Sequence, residues 1–275
     1  MNDSPTVPDE QRAGPPEIDG SVPNSARIWN YWLGGKDNYP VDRRVGDEYR
    51  AIYPDIVEVA RASRQFLTRA VRYLAGEAQV WQFLDIGTGL PTVDNTHEVA
   101  QRVAPDARIV YVDNDPVVLA HARALLTSTQ GVTAYIDADL RDPDRILRVA
   151  ARTLDFGQPI GLMLLGILGH IDDDEEARAV VRRLLEALPP GSHLTICDGT
   201  NDISEAGVEA QRRYNESGAV PYRLRSSRQI AEFFEGLELV APGVVPCPRW
   251  RPDATERASG APAEMDQFAG VGRKP

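Results

Sequence analysis

The sequence predicts an α/β fold on a parallel, doubly wound sheet, and three observations carry that expectation. Short apolar runs, "VWQFLDI", "RIVYVD", "VTAYID", "IGLMLLGIL", "HLTICD", "LELVAPGVV" and "MDQFAGVG", are separated by segments of helical periodicity. Aspartates end several of these runs, and a Gly-x-Gly turn follows the first, at the edge where ligands bind in such sheets. Helix starts recur between the runs: Asp115 before Pro116 and Asp142 before Pro143 pair a capping carboxylate with proline at the first helical position. Asn95 and Glu98 have capping-box spacing.

The elements follow in order. Residues 1–22 are rich in Pro, Asp, Glu, Gly and Ser, cannot repay the entropy of ordering and are expected to form a disordered tail. Ser25 is a suitable helix cap, Ile28, Trp29, Trp32 and Leu33 repeat at helical spacing, and Gly34 with Gly35 supplies the ending. From Asp55, a stripe of Ile56, Val59, Ala60, Phe66, Leu67, Ala70, Val71 and Leu74 gives an amphipathic helix, with Arg61, Arg64, Arg69 and Arg72 mostly on its wet side. Residues 23–76 are therefore taken as an N-terminal helical unit and 77–275 as the sheet domain. The "DDDEE" run at Asp172–Glu176 reads as the acidic start of a helix, not as a metal site.

Bulk composition narrows the function. With 275 residues and 42% hydrophobic content the chain can bury one large core carrying extra helices. A net charge of -11 and a pI near 4.9 disfavour nucleic acid and anionic membranes as partners. Cys197 and Cys247 form no CxxC pair, which leaves neither a disulfide framework nor a zinc site. The longest apolar run is half what a membrane helix requires, and a signal region is missing, so the expected location is the cytoplasm.

The chemistry concentrates in "FLDIGTGLP". A strand delivers Asp85 and then Gly87, Thr88 and Gly89 to its C-terminal end, and glycines there let backbone approach a ligand. The dinucleotide fingerprint would need a third glycine where Thr92 stands, and Pro91 alters the turn, so a plain NAD site is disfavoured. Asp113 ends the next strand, close to the spacing at which a carboxylate meets ribose hydroxyls. Asp139, with Leu140 beside it, ends the third, where a carboxylate can accept from an adenine amino group.

The motifs "DIGTGLP", "YVDNDP", "DADLRDP" and "LPPGSHLTICD" resemble, in order, those of class I S-adenosylmethionine-dependent methyltransferases. "SARIWNYWLGGKDNYPVDR" and "FLDIGTGLPT…NTHEVAQ" resemble more closely an actinobacterial methyltransferase family of unassigned substrate, formerly a domain of unknown function. The resemblance implies a Rossmann-like sheet of order 3-2-1-4-5-7-6 with its last strand antiparallel. It also implies S-adenosyl-L-methionine as cofactor. Asp85, Gly87, Thr88 and Gly89 would face its methionine part, Asp113 the ribose, Asn114 the side of the adenine, and Asp139 with Leu140 its edge. Two competing classes are a non-catalytic nucleoside-binding protein of this fold and an NAD-dependent oxidoreductase.

Three further stretches remain. His170 closes "LLGILGH" where this fold usually meets the methyl acceptor; it is either a catalytic base or a packed histidine, while His97 reads as structural. In "YRLRSSR", Tyr222 and Arg225 either hold an anionic substrate through paired donors or belong to a solvated helix start. "GGK" at 34–36 is no phosphate loop, because Asn30 stands where its first glycine belongs and Asp37 where Ser or Thr does. The stretch is either a helix ending in Gly-Gly followed by a polar turn or a lid; the resemblance favours the lid, with Tyr31, Lys36, Asp37 and Asn38 over the cofactor or the acceptor, and the acceptor is expected to be a small molecule.

Overall fold

The computed structural model describes residues 19–125, 131–258, 260 and 264–275; most of the expected tail lies outside the described residues. Three helices lead: α1 (Ser25–Trp32), α2 (Pro40–Ile52) and α3 (Ile56–Gly76). Strands and helices then alternate through β1 (Gln82–Ile86), α4 (Thr96–Val103), β2 (Arg108–Asp113), α5 (Pro116–Leu125), β3 (Val132–Asp137), α6 (Pro143–Ala150) and β4 (Gly161–Leu165). A 3-10 turn (Leu168–His170), α7 (Asp174–Glu186), β5 (His193–Gly199), α8 (Glu205–Asn215) and α9 (Ser227–Glu232) follow. The chain finishes through β6 (Glu238–Leu239), β7 (Val245–Pro246), a second 3-10 turn (Cys247–Arg249), α10 (Ala254–Ala258) and β8 (Gln267–Arg273).

The sheet runs β3-β2-β1-β4-β5-β8-β6, with β7 also paired to β8. Strands β1 to β5 are parallel, and β8 is antiparallel to β5, β6 and β7. The expected order therefore holds, with one difference. The run "LELVAPGVV" does not make one strand: Pro242 has no N–H to give a ladder, Gly243 N turns back onto Val240 O, and two short strands result.

Local signals act as the sequence suggests. Glu98 accepts from Asn95 N at 2.7 Å, Asp115 Oδ1 from Val117 N at 2.6 Å, and Asp142 from Arg145 N at 3.1 Å. The acidic run opens α7 with Asp173 capping Glu176 N. The cap of α1, however, is Asn24, with Ser25 its first helical residue, because the Asn24 carboxamide reaches Arg27 N. Helix α2 carries its own start signal in Pro40 after Tyr39 and was not anticipated.

Strand alternation splits the core into two layers. Phe83, Ile109 and Met163 face α3 with Phe66, Ala70 and Leu74, whereas Leu84, Val110 and Leu164 face α6 and α7. Helix α3 is thus one covering layer of the sheet. Arg69 on α3 departs from the expected wet side: it is buried, donating Nε to Trp250 O and Nη2 to Cys247 O at 2.8 Å each and pairing with Glu256. The long stem reaches across the helix edge to two carbonyls of the segment around the second 3-10 turn, of which Cys247 O also accepts from Trp250 N at 3.3 Å. Arg69→Ala strands Trp250 O, removes one of the two donors to Cys247 O and unpairs Glu256 from its cation, and should lower unfolding free energy by about 3 kcal/mol or more, measured by urea unfolding; a loss below about 1 kcal/mol would show that the cluster is not structural.

Candidate functional site

Strand β1 ends in a turn that only glycine can make. Gly87 (φ +77°) donates to Val112 O, and a Cβ on it would lie 2.6 Å from the Ile167 side chain. Gly89 (φ +62°) donates its N–H to Asp113 at 3.0 Å, which ties the turn to the end of β2. Asp113 also accepts from Asp115 N, and Asp139, past β3, accepts from Arg141 N at 2.8 Å and from Asn114 Nδ2 at 3.4 Å.

These ends open on a cavity of about 220 Å³. Asp85, Gly87, Thr88, Gly89, Asp113, Asn114, Asp139, Leu140 and His170 all line it, so the strand-end residues singled out in the sequence converge on one space. Its electrostatics are set by burial. Burial raises Asp85 from 3.8 to about 6, against the opposing Thr96 hydroxyl at 2.6 Å and the Arg64 charge. Asp113 rises to about 6 for the same reason, against hydrogen bonds from Asp115 and Gly89.

A second, smaller cavity of about 60 Å³ adjoins the first through shared walls at Ser25, Trp29 and His170. Trp32, Tyr49, Tyr53, Tyr214 and Tyr222 line it with Trp29. His170 Nδ1 lies 2.9 Å from Pro221 O; a carbonyl only accepts, so Nδ1 carries the proton and the Nε2 lone pair is left for other use. Burial, reinforced by the Arg141 charge and opposed by Pro221, lowers the His170 pKa and keeps the ring neutral. The Tyr222 ring stands edge-on to His170 at 5.1 Å, and its hydroxyl donates to Asp198, which burial raises to about 6.

Other expected residues are placed elsewhere. Tyr31 donates to Asp47 on α2, Lys36 is exposed, Asp37 pairs with His121 at 3.5 Å, and Asn38 bonds Asn30 and Arg43. None of these four lines either cavity. Tyr31 is turned toward α2 and the polar groups of Asp37 and Asn38 are taken up by Asn30, Arg43 and His121, so Asn24, Ser25, Ala26, Trp29, Asn30 and Leu33 form the wall instead. Arg225 is also not a substrate grip. It is buried, donating to Leu168 O, Ile171 O and Asp174, and so braces the turn that carries His170. His97 is structural as expected, held by the Tyr111 hydroxyl. Arg64 was missed as a wall residue: it donates to Val93 O and Asp94 O, lines the first cavity and leaves its buried Nε without a partner. Its only sequence signal is its place on α3, three residues before the buried Leu67.

The strand order, the Gly-x-Gly turn and the carboxylates beyond β1, β2 and β3 together define a class I methyltransferase fold. The chain belongs to the S-adenosyl methyltransferase family, whose profile matches residues 11–275, and S-adenosylmethionine is the cofactor of that family. It is similar to a DUF574 family protein from Streptomyces avermitilis (45% identity, TM-score 0.90, 94% of this chain and 100% of that one). It is also similar to a putative methyltransferase from Thermobifida fusca (41% identity, TM-score 0.84, 93% and 96%). A curated relative, ribosomal RNA small subunit methyltransferase H from Desulfosudis oleivorans, is 28% identical over 138 residues. That match spans 49% of this chain and 42% of the relative, less than half of either. Among the described residues there is no helix long and apolar enough to cross a membrane, and no group of three metal-ligating side chains.

The raised pKa of Asp85 fixes the sign of a stability test. The folded protein holds this proton more tightly than the unfolded chain, so the contribution is fully present below about pH 4 and is lost as pH rises through about 6. A rise from 3.8 to about 6 is worth at most ~3 kcal/mol. Asp85→Asn should therefore gain on the parent protein by up to that amount between pH 4 and pH 7.5 in urea unfolding; a constant difference between the two would contradict the burial argument.

Proposed function

We propose that the larger cavity holds S-adenosylmethionine and the smaller one receives a small-molecule acceptor, with His170 between them. The observation that carries this reading is the convergence of Asp85, Asp113 and Asp139 from three successive strand ends on a space entered by a Gly-x-Gly turn. The residues fit the cofactor's chemistry. Asp113 has acceptor capacity for ribose hydroxyls, and the unpartnered Arg64 Nε suits the carboxylate of the methionine moiety. Bound there, the cofactor supplies a methyl group on an electrophilic sulfonium.

The chain's own part is to orient, to exclude water and to move one proton. Helix α1 covers the larger cavity through Trp29 and Leu33, and we take it, with its flanks, as the lid. Transfer to an O–H or N–H nucleophile releases a proton, which His170 Nε2 accepts because Nδ1 is already committed to Pro221. The net charge of -11 supports a small acceptor over a polyanion. The curated relative raises ribosomal RNA as the second reading, and following labelled methyl into RNA and small-molecule fractions of an extract separates the two.

Calorimetric titration with S-adenosylmethionine, S-adenosylhomocysteine and NAD tests the cofactor site. Micromolar binding of the first two is expected, weakened at least tenfold by Asp113→Ala and also by lowering the pH below about 6, where Asp113 takes up its proton. Preference for NAD would sink the reading. With an acceptor in hand and cofactor saturating, His170→Asn should lower kcat by about 10²-fold or more. The acid limb should fall below the ordinary imidazole value of ~6.5; a limb above 7 would remove His170 from the role.

A further inference from the structure

The smaller cavity has a chemical bias of its own. Its rings form a continuous series: Trp29 and Trp32 at 5.7 Å, Trp32 and Tyr49 at 5.1 Å, Tyr49 and Tyr214 at 6.3 Å, each edge to face. Opening onto them is the carboxylate of Asp266, which is 8% exposed. Tyr53 and Ser204 face that carboxylate, but neither of its oxygens makes a hydrogen bond of normal geometry. The neighbouring Gln267 Oε1, also buried, is unpartnered too. Neither Lys nor Arg lines the space among the described residues, so its unpaired acceptors have no cation within the wall.

Burying a carboxylate whose facing donors stand outside normal hydrogen-bond geometry is costly, and a wall that leaves one open to the cavity favours the guest that pairs it. Asp266 lies beside the first turn of α8, where a Cβ on Gly207 would come within 2.6 Å of Oδ2; burial raises its pKa against the facing Tyr53 and Ser204 donors, and the helix N-terminus, like a cation seated beside it, favours the charged form. Aromatic faces attract cations and disfavour anions. A neutral apolar guest would leave Asp266 as it is, and an anion would meet it with like charge. The size is also limiting: 60 Å³, at the 10–15 Å³ one water requires, admits about four to six heavy atoms.

We infer that the smaller cavity is a subsite for an organic ammonium group, held by Asp266 and Gln267 within the ring of Trp29, Trp32, Tyr49 and Tyr53, and that the methyl acceptor is an amine-bearing small molecule. This rests on the methyltransferase reading of the larger cavity, since the two share His170 and Trp29.

The full-length protein labelled with 5-fluorotryptophan gives four fluorine lines, assigned by single Trp→Phe variants. With S-adenosylhomocysteine bound, it is titrated with n-butylammonium chloride, butan-1-ol and sodium butyrate, three probes of equal length. The expected result is saturable movement of the Trp29 and Trp32 lines by n-butylammonium, with the line of exposed Trp81 unmoved. The alcohol and the carboxylate should bind at least tenfold more weakly, and Asp266→Asn should abolish the preference while keeping the dispersed lines of a folded protein. Equal binding of butan-1-ol, an unchanged preference in the folded variant, or no movement of either line overturns the inference. Should the variant fail to fold, the three-probe comparison in the parent protein decides alone. Failure of S-adenosylhomocysteine to bind would overturn the cofactor reading instead, and the probes titrated without it would then report on the small cavity by itself.

Discussion

The Asp42 carboxylate holds the N-terminal segment together, and both cavities depend on it. One oxygen accepts from Asn24 N at 2.9 Å; the other accepts from Tyr39 N at 2.8 Å and pairs with Arg27 at the same distance. Asp42 is fully buried and Arg27 nearly so. A buried ion pair contributes little net stability but is expensive to break, so its effect is to admit one arrangement of α1 against α2. Asn24, placed by that arrangement, donates to Asp115 just beyond β2. The helix that walls both cavities is in this way fastened at one end to the strand edge where the larger cavity opens.

What the sequence made legible follows from range. Asp85 and Asp113 were readable because each is the last polar residue of an apolar run, and Asp139 because it stands two residues beyond the third, whose strand ends at Asp137; β1, β2 and β3 end side by side once the sheet forms. Caps such as Asp142 and the Asn95–Glu98 box are contained within four residues and hold without tertiary help. Arg64, Arg69 and Arg225 were not readable, because a stripe of apolar residues marks the face a helix buries but not where a long cation bends to find carbonyls. Arg69 looks solvated in periodicity and finds its partners near Cys247 and Trp250, far along the chain. The "GGKDN" segment failed for a related reason. Its polar groups satisfy one another and α2, as Asn38 does with Asn30 and Arg43, leaving the cavity wall to the apolar turn before it.

Three carboxylates, buried at Asp85 and Asp198 and half-buried at Asp113, share one electrostatic condition. Asp85, Asp113 and Asp198 are each pushed up to about 6 by burial, although each accepts at least one hydrogen bond. Asp85 and Asp113 line the larger cavity and Asp198 holds the Tyr222 hydroxyl at the wall of the smaller one, so the cost of desolvating charge is concentrated around these two spaces. Arg225 and Arg141 belong to the same region in a supporting capacity. The first braces the turn at Leu168 and Ile171, and the second joins Asp139 to the His170 carbonyl.

The two cavities draw their walls from different parts of the chain, apart from the few residues they share. The Gly-x-Gly turn and the three strand-end aspartates belong to the sheet, whereas much of the aromatic lining comes from α1, α2 and the short segment that follows: Trp29, Trp32, Tyr49 and Tyr53. Exchanges at Trp32, Tyr49 and Tyr53 would resize the smaller compartment and leave the larger one intact, whereas Trp29 belongs to both walls. The smaller compartment can accordingly be reshaped from the two leading helices without disturbing the glycine turn or the carboxylates that face the larger one.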